Sequence, residues 1–423
     1  MSIGSKPVTI GFLAARCEGL RPASRTILGD SNMLAYLAMM APRLVELRRV
    51  LKPTGSLYLH ADPTASHYLK LLLDAVFGPD AFLNEIIWHY RKWSTGKYAF
   101  QRNHDVLLFY ARTPGPSGRT FNQLFMERAA STLKRFGSSK ITSGHDESGR
   151  RVPSQVTGEK SAGVRQDDVW EIGRVPPIKQ LFPTEKPRAL LERVIKASTE
   201  PGDVVLDPFC GCGTAVVEAQ RLHRSWIGID ITSLATALIK KRLRDAFGES
   251  ATYKVVGEPV SIEDAAALAA SDPYQFQWWA LDLVDARPAS EKKGADKGID
   301  GRILFHDEPG GKTKQIILSV KAGKTGPAHV RDLVGTVQRE NAEMGALLSF
   351  QEPTQPMKAE AASAGFYSSP GWNTTYPRIQ LLTVEQLLGG KGIDYPHLTS
   401  VTFRKAPKSE PAAPTPDTLF EGQ

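Results

Sequence analysis

The segment 207–214, with the sequence DPFCGCGT, constrains the fold of this chain more than any other feature. It directly follows residues 204–206 (VVL), a short apolar run whose β-branched content is typical of a buried strand. Gly211 and Gly213 would let the backbone turn tightly and approach a ligand without side-chain obstruction. A helix predicted at residues 215–222 would then offer the unpaired N–H groups of its first turn to that ligand.

A second predicted strand, residues 225–230, ends in the carboxylate of Asp230, roughly twenty residues after the turn, where related folds bind a ribose hydroxyl. Together these elements predict an α/β fold with an adenosine-type cofactor pocket. A dinucleotide-binding fold needs G-x-G-x-x-G, and Val216 occupies the third glycine position. A cofactor without a pyrophosphate is therefore favoured, with another Rossmann-like fold as the alternative.

With Asp-Pro-Phe before the glycines, the chain resembles the S-adenosylmethionine-dependent DNA methyltransferases that modify adenine N6 or cytosine N4. The cofactor motif of that family is D-P-F-x-G-x-G-T, and the resemblance implies a Rossmann-like methyltransferase domain. It also implies a set of cofactor-binding residues: Asp207, Pro208, Phe209, Gly211, Gly213, Thr214 and Asp230, with Lys186 and Pro187 closing the methionine end.

Residues 30–112 are patterned as alternating helices and strands. Helices are predicted at residues 33–50 and 64–77, and strands at 56–60, 82–90 and 105–111. The segments 51–70, 84–88 and 102–110 resemble the same family. Because they precede Asp207, the resemblance implies the permuted motif order, in which the catalytic half (30–112) comes before the cofactor half (183–249).

The family's catalytic tetrapeptide, D/S-P-P-Y/F, is missing from its expected place upstream of Leu51. In the family it orients the target amine, and its aromatic ring stacks on the flipped-out base. The sequence Ser271-Asp-Pro-Tyr274 has similar letters, but we expect Ser271 or Asp272 to cap a helix at residues 275–284.

We therefore expect a chain truncated at its N-terminus, in which residues 1–29 are unassigned. The sheet would have a gap between the strand at 56–60 and the strand that ends at Asp207, and residues 8–14 are a candidate to fill it. Such a chain would bind S-adenosylmethionine weakly and transfer methyl groups poorly or not at all.

Double-stranded DNA is the expected partner. The net charge of +8 is compatible with a polyanion. Residues 113–182 show little periodicity, and by resemblance they form the target-recognition insert. Basic residues of this insert are candidates to contact DNA phosphates, but they could equally be solvated charges of a surface loop. They are Lys134, Arg135, Lys140, Arg150, Arg151 and Lys160.

Residues 250–405 resemble a smaller α/β domain of the Mrr-like restriction endonucleases, with a PD-(D/E)xK fold. By resemblance Asp300 would hold Mg²⁺, and Ser319 and Lys321 stand at the remaining nuclease positions. Serine is a poor metal ligand, and Gln277 stands where relatives often carry glutamate. The sequence therefore leaves three interpretations open: an active nuclease, a DNA-binding domain without nuclease activity, or a surface ion pair of Asp300 and Lys321 without such a role. His329 and Arg331 are further phosphate candidates, and residues 406–423 are expected to be disordered.

The remaining features limit the compartment. Three cysteines, including Cys210 and Cys212, exclude a disulfide framework and indicate a reducing environment. No apolar run reaches the length of a membrane span, so a cytoplasmic protein is expected. His60, Asp62 and His67 suit a structural role better than a metal site.

The leading interpretation is a restriction–modification DNA methyltransferase, for adenine before cytosine N4, with a restriction subunit as a candidate partner. The alternative is a DNA-binding protein or modification-dependent nuclease of the Mrr type.

Overall fold

The computed structural model describes residues 25–92, 98–115, 118–178, 180, 184–289, 298–308, 312–371, 373–396 and 399–400. At Ser143, 151–160 and 399–400 it describes the backbone alone. The chain divides into two compact units. The first is drawn from Met1–Val175, Lys186–Asp207 and Thr214–Ile227, and the second from Pro176–Glu185, Pro208–Gly213 and Gly228–Gln423.

The first unit alternates helices and strands, as its sequence pattern predicts. In chain order its elements are α1 (Asn32–Val50), β1 (Ser56–Ala61), α2 (Ser66–Phe77), β2 (Phe82–His89), β3 (His104–Ala111), β4 (Phe125–Met126), α3 (Ala130–Phe136), β5 (Ser139–His145), β6 (Arg151–Lys160), β7 (Val164–Arg165), β8 (Val169–Glu171), α4 (Arg188–Ser198), β9 (Val204–Asp207), α5 (Thr214–Arg221) and β10 (Ser225–Gly228).

The main sheet of this unit has the strand order β1-β3-β2-β8. β3 pairs antiparallel with both neighbours, and β8 runs parallel to β2. Because side chains alternate along a strand, the two faces of β3 serve two cores. Leu108 and Tyr110 pack with α1 and α2, whereas Leu107 and Phe109 pack with Trp88, Trp170 and the start of α4.

Strands β9 and β10 form a separate two-stranded sheet. Within the described residues, β1 pairs only with β3, and β9 pairs only with β10, so no strand lies between β1 and β9. Residues 8–14, the candidate for that position, lie outside the described residues. The expectation that β9 is a buried strand is wrong, since Val204 is 50% exposed. Among the described residues β9 has a strand on one side only, β10.

Residues 113–182 contain more regular structure than their sequence predicts. β5 and β6 form an antiparallel hairpin, β4 pairs with β7, and α3 lies between β4 and β5. The hairpin's turn is held by the carboxylate of Asp146, which accepts from the backbone N–H groups of Ser148 and Arg150. Local hydrogen bonds of this kind specify a hairpin without any hydrophobic periodicity.

The second unit continues with α6 (Ser233–Phe247), α7 (Ile262–Ser271), α8 (Pro273–Asp282), β11 (Arg287–Pro288), β12 (Gly301–His306), β13 (Lys314–Lys321), α9 (Pro327–Arg339), β14 (Met344–Ser349), α10 (Gln355–Ser363), β15 (Phe366–Ser369), β16 (Thr374–Pro377), β17 (Ile379–Thr383), α11 (Val384–Leu388) and β18 (Thr399–Ser400).

A six-stranded sheet forms the centre of this unit, with the order β11-β12-β13-β14-β17 and β18 beside β12. β13, β14 and β17 are parallel, and the others are antiparallel. The core on one face includes Phe276 and Trp279 of α8, and the core on the other includes Val330 and Leu333 of α9. In the described part of the chain, no helix combines the length and the apolarity needed to cross a lipid bilayer.

The start of α8 confirms the predicted helix cap. The side chain of Asp272 accepts hydrogen bonds from the backbone N–H groups of Tyr274 and Gln275, both at 3.1 Å, and Pro273 occupies the first turn. Ser271-Asp-Pro-Tyr274 is therefore a helix boundary.

Candidate cofactor site and nuclease-related centre

The glycine turn is held by hydrogen bonds to the segment that follows β10. The N–H of Gly211 donates to Oδ2 of Asp230 at 2.9 Å, and the N–H of Cys210 donates to the carbonyl of Ile229 at 3.0 Å. Within the turn, the N–H of Gly213 donates to the carbonyl of Cys210 at 2.7 Å. Gly211 and Gly213 both have positive φ angles, +48° and +71°. This conformation favours glycine at both positions.

Gly213 has a second reason to lack a side chain. A Cβ atom built on it would lie 2.5 Å from Cγ1 of Ile239 in α6. The neighbouring helix α6 therefore takes up the space that a side chain at position 213 would need. The sequence motif alone does not reveal this contact.

Asp230 retains capacity for one more hydrogen bond. A carboxylate offers about four acceptor positions. Gly211 uses one of them, and the N–H and O–H of Thr232 use two more at Oδ1, at 3.0 and 2.9 Å. Thr232 in turn caps α6 by accepting from the N–H of Ala235. Asp230 lies two residues beyond β10, not in the strand as predicted.

Apolar side chains beside Asp230 are exposed. Ile231 is 91% exposed, and Ile229 and Phe209 are each about half exposed. An exposed isoleucine on each side of an acidic residue is a surface that a flat apolar ring would cover favourably. Sequence reasoning missed both isoleucines, although their position around Asp230 was the available signal.

Of the other candidate cofactor residues, Pro208 belongs to the second unit, and the remaining four belong to the first. Asp207 is the last residue of β9, and Thr214 is the first residue of α5 and is buried. Lys186 and Pro187 directly precede α4, whose N-cap is Pro187. The fully buried Glu218 of α5 pairs with Arg188 of α4 and with Arg221 of its own helix. Removing one partner of such a buried group is strongly destabilising, so the pair with Arg188 helps to hold α5 against α4.

The four nuclease-position residues converge in the second unit. Oδ1 of Asp300 accepts from Nε2 of Gln277 at 2.9 Å. Oδ2 accepts from the N–H of Val320 at 2.6 Å and from Oγ of Ser319 at 3.3 Å, and Nζ of Lys321 lies 3.6 Å away. The Asp300 side chain is 11% exposed. Protein donors therefore surround this carboxylate, and none of the three side chains around it carries a negative charge.

His60 and Asp62, near β1, have protein partners. Nε2 of His60 lies 3.1 Å from Oδ2 of Asp105, and Oδ1 of Asp62 accepts from the N–H groups of Thr64 and Ala65. Burial disfavours the charged form of Asp105, but its hydrogen bonds to His60 and Tyr90 outweigh burial and lower its pKa. Within the described residues, no group of three or more His, Cys, Asp or Glu side chains suits a metal ion.

The basic residues of the insert are spread over several elements. Lys134 and Arg135 lie in the last turn of α3, Lys140 lies in β5, and Arg150 lies in the hairpin turn. The side chains of Arg151 and Lys160 lie outside the described atoms. In the second unit, His329 accepts the N–H of Gly326 at the start of α9, and Arg331 pairs with Glu360.

Comparison with known families gives two matches. A family model described as DNA methylase (N6/N4 type) matches residues 22–241, just over half of the chain. A second model, described as NACHT-associated inactive restriction endonuclease 1, matches residues 274–389. The expected fusion to a restriction-endonuclease-related domain agrees with this second match, whereas the Mrr type remains an expectation.

Curated relatives cover parts of the chain. The type II methyltransferase M.HpaI of Haemophilus parainfluenzae is 32% identical over 221 residues, which cover 51% of this chain and 62% of that protein. M.EcaI of Enterobacter cloacae is 26% identical over 322 residues, covering 61% and 69%. The chain thus spans less than two thirds of the first of these relatives.

Solved structures with similarity to the chain include PvuII DNA methyltransferase (cytosine-N4-specific), at 16% identity and a TM-score of 0.36, covering 52% of this chain and 74% of that one. The complex of M1.HpyAVI with SAM is 18% identical, with a TM-score of 0.33, covering 48% and 82%.

Proposed function

This chain belongs to the DNA methylase family, and from that premise we propose that it binds S-adenosylmethionine and serves methyl transfer to an exocyclic amino group in double-stranded DNA. We propose adenine N6 as the target, with cytosine N4 as the second candidate. The proposed biological context is restriction–modification. The two named relatives are type II methyltransferases, which supports that context.

The observation that carries the proposal is the arrangement around Asp230. Its carboxylate fastens the glycine turn through Gly211 and keeps one acceptor position for a ribose hydroxyl. Ile229 and Ile231 flank it with exposed apolar surface suited to an adenine ring. A turn that lacks the third glycine suits a nucleoside without a pyrophosphate. S-adenosylmethionine has these features, so the residues present fit this group.

Each of the chain's own residues has a proposed role in holding the cofactor. Asp230 would accept from the ribose, and Phe209 and Ile231 would cover the base. By resemblance to the family motif, Asp207, Pro208, Gly211, Gly213 and Thr214 are also proposed as cofactor-binding residues, with Lys186 and Pro187 assigned to the methionine moiety. When bound, the cofactor supplies an electrophilic methyl group on a positively charged sulfur.

The 423 residues contain no D/S-P-P-Y/F tetrapeptide, the motif that by resemblance would activate the target amine. We therefore propose that this polypeptide binds the cofactor and transfers methyl groups slowly or not at all.

Residues 30–112 would form the acceptor side of the domain, 183–249 the cofactor side, and 113–182 would contact DNA. The hairpin of β5 and β6 exposes Lys140 and Arg150 near its two ends for such contacts.

The domain formed by residues 250–405 is proposed to be inactive as a nuclease. Gln277 stands where relatives often carry glutamate, Ser319 stands where they usually carry Gln or Glu, and Asp300 accepts hydrogen bonds from protein donors. We infer that Mg²⁺ binds weakly at most there, because neutral amide and hydroxyl groups are poor substitutes for carboxylate ligands of this ion. The inactive family that matches these residues supports the same interpretation.

The test measures binding and transfer separately. Isothermal titration with S-adenosylmethionine is expected to give saturable binding to the chain and none to Gly211→Val, whose side chain is incompatible with the turn. Transfer of tritiated methyl groups to DNA is then measured for this chain, with the type II methyltransferase M.HpaI as the reference. Absence of binding would refute the cofactor proposal. Rapid transfer by the 423-residue chain would refute the proposal of slow catalysis.

A further inference from the structure

Helix α6 supports the glycine turn from one side. Ile239 occupies the space beside Gly213, where an added Cβ would lie 2.5 Å from it. Nη1 of Arg242 donates to the carbonyl of Cys212 at 3.0 Å and to Glu185 at 3.1 Å. Thr232 and Asp230 form the start of the same helix. The position of α6 therefore determines the geometry of the turn.

The same helix is fastened elsewhere to α8 and the residues around it. The N–H of Ser233 donates to Oε1 of Gln275 at 3.0 Å. Nζ of Lys240 lies 2.5 Å from Oδ2 of Asp282 and 3.0 Å from Oε2 of Glu258. Arg244 pairs with Asp285 at 2.8 Å. Lys240 and Arg244 are four residues apart, so they share a helix face, and Ile239 and Arg242 lie on another.

Lys240 is the central contact of this interface. Its side chain is 25% exposed, and those of Glu258 and Asp282 are 21% and 14% exposed. Burial alone would lower the pKa of Lys240, but the two carboxylates raise it above its ordinary value. Without Lys240, two partly buried carboxylates would face each other with no cation between them, which is strongly unfavourable. The charge pattern thus specifies one position of α6 against α8.

Resting on the proposed function, we propose that helix α8 of the nuclease-related domain is a structural part of the cofactor site, and that Lys240, Gln275 and Asp282 are positioning residues for cofactor binding. They act through α6 on the turn and touch no cofactor atom themselves. Residues 274–389 match a family of inactive nucleases, and α8 begins at Pro273 within a residue of that match. A domain without cleavage activity would then be retained because the methyltransferase site depends on it.

The same helix also reaches the nuclease-position residues. Gln275 binds the start of α6, and two residues later Gln277 binds Asp300. The segment Gln275–Gln277 therefore contacts both the start of α6 and the Asp300 centre. Because the Gln277 amide holds Asp300 directly, this contact needs no metal ion.

The experiment compares Lys240→Met and Gln275→Ala with a matched control, Glu340→Gln. The control breaks a similarly exposed ion pair, Arg302–Glu340 at 2.8 Å, which lies in the same domain and makes no contact with α6. Two quantities are measured on the full chain. The first is hydrogen exchange at the amides of Cys210, Gly211 and Gly213 without any ligand. The second is the Kd for S-adenosylmethionine.

Both test variants are expected to exchange these three amides faster than the wild type and to weaken the Kd roughly threefold to thirtyfold, the usual range for residues that act through an intermediate element. Lys240→Arg should leave the exchange rates of the three amides and the Kd near their wild-type values, because arginine retains the positive charge. Glu340→Gln should change neither. Gln275→Ala removes a single hydrogen-bond acceptor, so it keeps the test valid if Lys240→Met does not fold.

The two proposals fail in different ways. If the wild type binds no S-adenosylmethionine, the proposed function fails, and the exchange of the turn amides still decides the inference. If the turn amides of Gln275→Ala and Lys240→Met exchange as slowly as those of Glu340→Gln, the inference is overturned even when the cofactor binds.

Discussion

The backbone N–H of Gly211 donates to the carboxylate of Asp230 at 2.9 Å, which joins the glycine turn after β9 to the acidic residue after β10. A residue expected to bind a ribose therefore also holds the turn on which the cofactor would lie. The two tasks are compatible because a carboxylate can accept several hydrogen bonds at once.

Replacing Asp230 should therefore weaken cofactor binding for two reasons. Asp230→Ala removes the acceptor for the ribose and releases the N–H of Gly211. Losing hydrogen bonds to a charged group costs about 1.5–3 kcal/mol, so the Kd for S-adenosylmethionine should rise roughly tenfold or more. Isothermal titration measures it. Asp245→Ala, which breaks the ion pair with Lys241 on α6, serves as the control. Equal Kd values for the two variants would contradict the assignment.

The space beside Gly213 predicts a specific loss of stability. Gly213→Ala places a Cβ 2.5 Å from Ile239 and must also adopt a φ of +71°. Gly248→Ala shares the positive φ, +57°, but has no atom within 4 Å of its Cβ. Left-handed strain costs about 1–2 kcal/mol, and overpacking adds about 1–3 kcal/mol.

Urea unfolding should accordingly show a larger loss for Gly213→Ala than for Gly248→Ala. The additional Ile239→Ala substitution should recover part of that difference, since it removes the atoms that clash. If the two glycine variants lose the same free energy, the clash with Ile239 does not occur.

The Asp300 centre predicts how a metal site could be restored. The double variant Gln277→Glu with Ser319→Glu places two more carboxylates beside Asp300, and three carboxylates suit Mg²⁺ far better than one. Titration calorimetry with MgCl₂ should detect binding to this variant and little or none to the wild type. The control Gln338→Glu with Ser363→Glu adds the same charge at exposed helix positions. Equal Mg²⁺ binding by the wild type would contradict the proposed inactivity.

Asp307 predicts a pH dependence of the second unit. This buried carboxylate accepts from Lys314, Tyr367 and Ser369. Burial by itself would raise its pKa, but these three partners outweigh burial and lower it. A group whose pKa is lower in the folded state stabilises the fold above the ordinary carboxyl pKa and loses that contribution as the pH falls.

The unfolding free energy of the wild type should thus decrease on acidification below about pH 4 more steeply than that of Asp307→Asn. Asp307→Asn should already be less stable at neutral pH. Urea unfolding over a series of acidic pH values provides the measurement, with the exposed Asp332→Asn as control. Parallel pH profiles for the wild type and Asp307→Asn would rule out this contribution.

Local sequence signals predicted much of the fold. The helix at Ser66–Phe77, the strands of the main sheet and the cap at Asp272 follow from apolar periodicity and capping chemistry, which act within a few residues. Gln277, Ser319 and Lys321 were singled out by resemblance, and in the structure all three contact Asp300.

The features that the sequence did not predict depend on distant contacts. β9 has the composition of a buried strand, yet composition cannot reveal whether a neighbouring strand is present. The contact between Ile239 and Gly213 joins residues 26 positions apart, and Lys240 meets Asp282 from a different helix. The hairpin of β5 and β6 was missed because turn hydrogen bonds, not periodicity, specify it.

Cys210 and Cys212 have a practical consequence for anyone who handles this protein. Both thiols are buried within the turn, 7% and 4% exposed. An alkylating reagent can reach them only when the turn opens, so its reaction rate reports how often that happens. With Cys17, the third cysteine, replaced by serine, mass spectrometry of the alkylated protein would follow these openings with no engineered label.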